Sequence, residues 1–362
     1  KRQQLIMKIL ITGNLGYVGG PLVKTLTERI PEADITGFDT NFFYAQSSGV
    51  LAKRGLGVNS QVHGDIRHVD ESFLCNFDAF VLLAAISNDP IGNKFSAVTY
   101  EINRDAHFRM LDTISLLNGK TVVFASSCSI YGTNASVPRS EEDEINPLTP
   151  YALTKVAVEG YMEALPPSGN LYTALRFATA CGPSECLRLD LVMNDFVASA
   201  LQTEKIELLS DGKSWRPLIS VSDMARAVEW GLNRRSSDGG QFVTVNVGAD
   251  DWNFKICDLA ERVASLIPGT TVTATKDSPR DPRSYKVSFK KFRELAPDHQ
   301  PKSEVDTVIT ELTDTLENTI TNLSTSFRET EFIRLRALEK LILAGKLNQN
   351  LYWEKNGAST LI

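Results

Sequence analysis

Tyr151 and Lys155 stand in a Tyr-x-x-x-Lys spacing directly after Pro150. Residues four apart on a helix lie on one face, so the phenol and the amine would be neighbours. A free phenol has a pKa near ~10 and is a poor base at neutral pH. An adjacent ammonium favours the phenolate. Such a pair can take the proton of a substrate hydroxyl while a hydride leaves the same carbon. Taken alone, the spacing also fits an ordinary amphipathic helix. The segment before it adds a second polar group: Ser126-Ser127 closes the apolar run 121–125 (TVVFA). The C-terminal end of such a strand is where open parallel sheets hold their ligands.

A hydride needs an acceptor, and the N-terminal residues supply a place for one. Gly13-Asn14-Leu15-Gly16-Tyr17-Val18-Gly19 follows the strand-like run 8–12 (KILIT) and opens a helical pattern. Glycines there permit a tight turn and bring backbone amides to a pyrophosphate at the helix N-terminus. Asp39 ends the second strand pattern, where a carboxylate accepts from ribose hydroxyls and repels the extra phosphate of NADP. Asp65-Ile66 follows the third strand pattern, placed to hold adenine. The expected cofactor is therefore NAD.

Positioning these residues requires strands alternating with helices. Strands are expected at 8–12, 35–38, 61–63, 79–85, 121–125 and 171–177, with helices at 21–29, 96–117 and 151–165. Runs such as AFVLLAA, apolar on both faces, suit central parallel strands. The alternation predicts an α/β fold built on a doubly wound parallel sheet. Beyond residue 177 the rhythm loosens: helices at 190–202, 222–233 and 255–266, a strand at 242–247, a Pro- and Arg-rich loop at 277–284, then polar helices at 305–323 and 329–344. Lys1–Ile6 precede Met7, which reads as a natural start.

Composition sets limits. The 362 residues are 42% hydrophobic and 23% charged, with net charge −6. That is ordinary globular composition, with no electrostatic ground for a nucleic-acid or anionic-membrane partner. Cys75, Cys128, Cys181, Cys186 and Cys257 form no C-x-x-C pair and His is scarce, so no metal site is expected and the thiols suit a reducing, cytoplasmic setting. The longest apolar run, about 77–86, is too short to span a bilayer.

In order along the chain, Gly13/Gly16/Gly19, Asp39, Asp65-Ile66, the run Ser126–Gly132 (SSCSIYG), Tyr151/Lys155, Leu175-Arg176-Phe177, the segment 215–223 (WRPLISVSD), Asn246-Val247-Gly248 and 281–285 (DPRSY) resemble the extended short-chain dehydrogenase/reductases. The resemblance covers roughly residues 7–295 and is closest to NAD-dependent nucleotide-sugar epimerases and dehydratases. It implies a Rossmann domain over 7–178 with return segments near 216–248, a smaller substrate-binding domain from 179–215 and 249–300, and a C-terminal helical extension, 301–362, that it does not interpret. It implies Ser127, Tyr151 and Lys155 as catalytic residues. It adds Tyr17, Val18, Leu83, Ala84, Ala85, Asn103, Ser126 and Phe177 to the cofactor site. Ser127, Cys128, Ser129, Thr179, Asn194, Arg216 and Arg283 are implied for the substrate, the two arginines gripping its diphosphate, for which Arg geometry is suited. In relatives the helices near 96–117 and 151–165 pair with their copies, so a homodimer is expected, with Phe108, Leu111, Ile114, Val156, Val158 and Met162 as apolar residues on those helices.

The departures narrow the chemistry. The dehydratase subgroup carries Asp-Glu after its catalytic Thr; Cys128 and Ser129 stand there. Other subgroups place a catalytic Cys two residues before the Tyr of this motif; Ser129 stands there, with Cys128 one place off. Thr179 replaces an Asn common after the strand-ending Arg. The expected reaction is 4-epimerisation through a transient 4-keto sugar. Dehydratase, dehydrogenase or ketoreductase, decarboxylase, and a non-catalytic NAD-binding scaffold are the alternatives.

Overall fold

The computed structural model describes residues 6–43, 57–274 and 283–354. Most of the expected Pro- and Arg-rich loop, including Asp281 and Pro282, lies outside them. The strands, in chain order, are β1 (Lys8–Thr12), β2 (Asp34–Asp39), β3 (Ser60–His63), β4 (Ala79–Leu82), β5 (Thr121–Ser127), β6 (Thr133–Arg139), β7 (Leu171–Phe177), β8 (Thr179–Cys181), β9 (Lys205–Leu208), β10 (Trp215–Ser220), β11 (Phe242–Val247), β12 (Asn253–Lys255), β13 (Thr271–Ala274) and β14 (Ser284–Val287). The longer helices are α1 (Gly19–Arg29), α2 (Ala106–Ser115), α3 (Pro150–Ala164), α4 (Val192–Thr203), α5 (Val221–Asn233), α6 (Ile256–Leu266), α7 (Val305–Thr321) and α8 (Arg334–Leu343).

Seven strands form one parallel sheet in the order β11-β7-β5-β4-β1-β2-β3. Its apolar runs divide by parity, as the two-residue strand repeat requires. Ile9, Ile11, Val81 and Val123 enter the core on one face; Leu10, Phe80, Leu82, Val122 and Phe124 enter the core on the other. The chain builds β1, β2 and β3 outward, then crosses back to place β4 beside β1. That reversal opens a crevice at the C-terminal ends of β1 and β4, the place where such sheets bind ligands. A third core cluster, including Met193, Phe196, Val197, Leu218 and Leu259, fills the smaller lobe around α4, β10 and α6.

Several expected elements differ. The helix expected over 96–117 is three pieces: Ser96–Tyr100, a π-turn at Glu101–Asp105, and α2. The strand expected over 79–85 stops at Leu82, leaving 83–85 as irregular backbone at the crevice. The last helix starts at Arg334, because Phe327–Glu329 form a 3-10 turn instead. The short strands β6, β8, β9, β10 and β12–β14 were not expected. They are paired across long sequence separations, such as β14 with β6 and β13 with β9.

The C-terminal residues split between the lobes. α7 buries Ile309, Leu312 and Leu316 in the smaller lobe's core, whereas Leu338, Leu341, Leu347 and Leu351 join the core on one face of the main sheet. Among the described residues no helix is long and apolar enough to cross a membrane.

Candidate active site

A cleft of about 900 Å³ runs along the C-terminal ends of β1, β2, β4 and β5 and between the two lobes. One end is the glycine turn. Gly13 has φ of +78°, and a Cβ there would lie 2.6 Å from the Ala84 amide nitrogen, so only glycine joins β1 to the turn this close to β4. Gly13 N donates to Phe38 O, tying the turn to β2. Gly19 is a packing glycine, since a Cβ there would collide with the Asn14 carbonyl. Gly16, Tyr17 and Val18 line the cleft at the start of α1. The Tyr17 ring is turned inward instead, its hydroxyl donating to Gly182 O at 2.5 Å.

Asp39 lies at the lip of this turn. Its carboxylate accepts from Leu15 N at 3.1 Å and Asn41 N at 2.8 Å, while burial pushes its pKa up. Asp65 and Ile66 also line the cleft. The Asp65 carboxylate is held by Arg67, with Nε at 3.0 Å and Nη2 at 2.6 Å. Leu83, Ala84 and Ala85 form the opposite edge, and Phe177 lies at the end of β7.

Ser127, Tyr151 and Lys155 meet in the middle of the cleft. Thr149 caps α3, its hydroxyl accepting from Ala152 N at 3.3 Å, and Pro150 occupies the first turn, where its missing N–H costs nothing. This fixes Tyr151 at the helix start. Lys155 Nζ lies 5.4 Å from the Tyr151 ring centre and donates to Ala125 O at 2.6 Å. Burial pushes the phenol up to about 12, opposed by a side-chain hydrogen bond with Ser127. Burial also brings the Lys155 ammonium down to about 7, opposed by Glu159. Ser129 lines the same wall, and its buried hydroxyl has no hydrogen-bond partner. Ser126 lines it too, but its hydroxyl is committed to Glu159, which in turn pairs with Arg176 at 2.8 Å.

Besides Gly19, three expected site residues lie off the cleft surface. Cys128 is 1% exposed, and its thiol donates to Arg176 O at 3.0 Å beneath the sheet end. It opens the 3-10 turn Cys128–Tyr131 that follows β5, which carries its side chain into the core, and burial pushes its pKa well up. Asn103 sits behind the cleft wall, its amide accepting from Ile86 N and donating to Ile86 O, each at 2.8 Å. Asn194 is fully buried, donating to Tyr17 Oη at 2.9 Å and Arg188 O at 2.8 Å and accepting from Gly182 N. Each is a brace for cleft residues and not part of its surface.

Thr179, Arg216 and Arg283 line the far end of the cleft. Arg283 pairs with Asp89 at 2.5 Å, and Arg216 donates to Trp215 O at 2.8 Å and to Arg283 O. Sequence reasoning missed the buried Arg188–Asp190 pair, at 3.0 Å, and Asn88, which donates to Asp190 at 2.5 Å. It also missed Ile333, Arg334, Leu335 and Arg336, which bring the C-terminal extension into the cleft wall. No motif spacing marks these residues; only the return of the chain does.

A sequence profile of the NAD dependent epimerase/dehydratase family matches residues 9–248, and the chain belongs to that family. It is thus an NAD-dependent enzyme of the extended short-chain dehydrogenase/reductase type. It is 26% identical over 289 residues to a putative UDP-glucose 4-epimerase of Methanocaldococcus jannaschii, covering 77% of this chain and 88% of that protein. It is 27% identical over 298 residues to UDP-glucuronic acid decarboxylase 5 of Arabidopsis thaliana, covering 80% and 83%. Its fold matches MoeE5 solved in complex with UDP-glucose and NAD, with TM-score 0.71, 22% identity and coverage of 86% and 99%.

Proposed function

We propose that this enzyme is a nucleotide-sugar 4-epimerase. The observation that carries the reading is the composition of the cleft's middle. Ser127, Tyr151 and Lys155 converge there, while the Cys128 sulfur is sealed behind the wall and neither position 128 nor 129 carries a carboxylate. Elimination of water calls for an acid beside the leaving hydroxyl, and thiol-driven carbon-acid chemistry calls for a sulfur in reach. Proton transfer at a single carbinol calls for neither.

The glycine turn 13–18, Asp39, Asp65-Ile66, Leu83–Ala85 and Lys155 are the residues that would hold the dinucleotide. NAD, when bound, supplies the hydride acceptor and donor and a positive ring beside the phenol. Tyr151 Oη takes the proton of the sugar's 4-hydroxyl and later returns it. Ser127 Oγ holds the same oxygen, and the Lys155 ammonium lowers the cost of the phenolate. Ser129 offers its unpartnered hydroxyl to the sugar. The ketone formed at carbon 4 must turn over in the cleft so that the hydride is returned to its opposite face while Tyr151 returns the proton to its oxygen. Arg216 and Arg283 grip the substrate diphosphate, which would replace Asp89 as the counter-ion of Arg283.

The test is incubation with NAD and a panel of UDP- and dTDP-sugars, with products resolved by NMR. Interconversion of 4-epimers without net NADH supports the reading. Carbon dioxide release from a uronic acid, or loss of water, would replace it with decarboxylation or dehydration. Tyr151→Phe should lower kcat by at least about 10²-fold with dinucleotide and nucleotide-sugar affinity nearly unchanged, and Cys128→Ser should retain near wild-type turnover. The reverse pattern overturns the mechanism.

A further inference from the structure

Arg334 opens α8, in the C-terminal extension, beyond residues 9–248 matched by the family profile. It is 3% exposed and lines the cleft beside the glycine turn. Its guanidinium stacks 4.1 Å over the Phe43 ring, and Nη2 donates to Cys186 O at 3.2 Å. Nη1 is buried with no hydrogen-bond partner, and none of the ion pairs among the described residues includes Arg334. A buried guanidinium left with an unsatisfied donor and no counter-ion is costly. A ligand anion removes both costs.

The position says which anion. Arg334 is held between the Phe43 ring, four residues beyond Asp39, and Cys186, whose N–H donates to Ser184 Oγ; Ser184 in turn donates to Tyr17 O of the glycine turn at 2.6 Å. A guanidinium between the segment after Asp39 and the glycine turn lies beside the stretch where the pyrophosphate of a bound dinucleotide would run. Of the other cleft arginines, Arg188, Arg328 and Arg336 are paired with Asp190, Asp195 and Glu339, and Arg216 and Arg283 lie at the far, sugar-nucleotide end.

The segment carrying Arg334 is pinned at both ends. Arg328 holds one end through Asp195 at 2.7 Å. At the other, Arg67 donates to Asn350 O at 2.8 Å and lies 3.6 Å from the Tyr352 ring centre, while Trp353 Nε1 donates to Thr40 O at 2.7 Å. Arg67 is the residue that also holds Asp65. The extension is therefore fastened to the adenosine end of the cleft through the two segments, near residues 40 and 65, that sequence alone assigned to the cofactor.

We propose that Arg334 is a ligand of the dinucleotide's pyrophosphate and that the segment Phe327–Trp353 is a built-in wall of the dinucleotide half of the cleft. This rests on reading that cleft as the dinucleotide site. The extension is then a binding element of the holoenzyme.

Calorimetry on the full chain with NAD, ADP-ribose, adenosine and UDP tests it, with the thermal midpoint of each variant as a control for folding. Arg334→Gln should weaken NAD and ADP-ribose by about 10- to 100-fold, the usual range for losing charge-assisted hydrogen bonds. Adenosine and UDP should change less than about threefold, within the scatter expected where no such bond is lost. Arg334→Lys should recover part of the loss, keeping the charge without the fork. Unchanged NAD affinity in Arg334→Gln overturns the proposal, as does a loss confined to UDP, which would assign Arg334 to the sugar nucleotide. If Arg334→Gln does not fold, wild-type NAD affinity in a folded Arg334→Lys overturns it. An unmodified chain that binds UDP but neither NAD nor ADP-ribose would instead refute the reading of the cleft on which the proposal depends.

Discussion

Lys155 carries the clearest pH signature of any residue in the site. Burial brings its ammonium from 10.5 down to about 7. The unfolded chain therefore keeps a proton up to its ordinary pKa, whereas the folded chain releases it near neutrality. Stability must rise with pH across that interval, and the cost of burying the charge is fully present below it. In the cofactor-free protein, Lys155→Met should raise the thermal midpoint more at about pH 6 than at about pH 10. A gain of equal size at both would mean that Lys155 is not the group responsible. The same substitution removes the Tyr151 partner, so a more stable variant should be a much poorer enzyme. Ser129 and Cys128 illustrate the neighbouring point: one step along the 3-10 turn after β5 decides whether a side chain lines the cleft or enters the core.

Among the elements, the π-turn Glu101–Asp105 explains how the loop after β4 is held. The extra residue in that turn breaks the 3.6-residue repeat, and such turns are frequent at functional sites. It presents Asn103 to both polar groups of Ile86, which fixes the backbone leading to Ser87, Asn88 and Asp89 in the cleft wall. Asn103→Ala would leave the buried Ile86 amide and carbonyl unpaired. It should cost about 1–3 kcal/mol of unfolding free energy, read from the denaturant midpoint, and raise KM for the sugar nucleotide. An unchanged midpoint would show that water or a shifted loop satisfies Ile86 equally well.

For the whole molecule, the expected homodimer keeps only part of the contact set the sequence suggested. Leu111, Ile114, Val158 and Met162 are fully buried within the single chain, packed on the sheet. What remains partly exposed of that set is Phe108, stacked on Tyr161 with ring centres 4.0 Å apart, and Val156, and α3 adds Leu153, 42% exposed. We expect light scattering at micromolar concentration to give twice the mass of the chain, and Phe108→Arg to yield a folded monomer. A monomer mass for the unmodified chain would count against the dimer.

Local chemistry made much of this protein legible in one dimension. Apolar runs with glycine turns marked β1, β4, β5 and β7, and the strands 171–177 and 242–247 fell within the limits the pattern implied, because both-face burial leaves a continuous apolar signature. Gly13, Asp39, Ser127, Tyr151 and Lys155 were legible because each sits at the end or start of a regular element, where chain position dictates spatial position. Cys128 was misjudged because it opens a 3-10 turn after β5, whose inward side no strand pattern shows. Asn103 and Asn194 were misjudged because a buried amide that braces backbone looks, in sequence, like one that meets a ligand. The short strands β6, β8, β9, β12, β13 and β14 had no signature, since their pairing partners lie far away along the chain. So too with Arg334: its neighbours Asp39, Phe43 and Cys186 are brought to it only when the extension folds back over the first lobe. Local spacing carried the parallel sheet and marked the glycine turn and Tyr151/Lys155 as candidates, because a regular element fixes where its own ends lie. Which side chains face the cleft and what closes it emerged with the fold, because those depend on contacts between segments that no local pattern encodes.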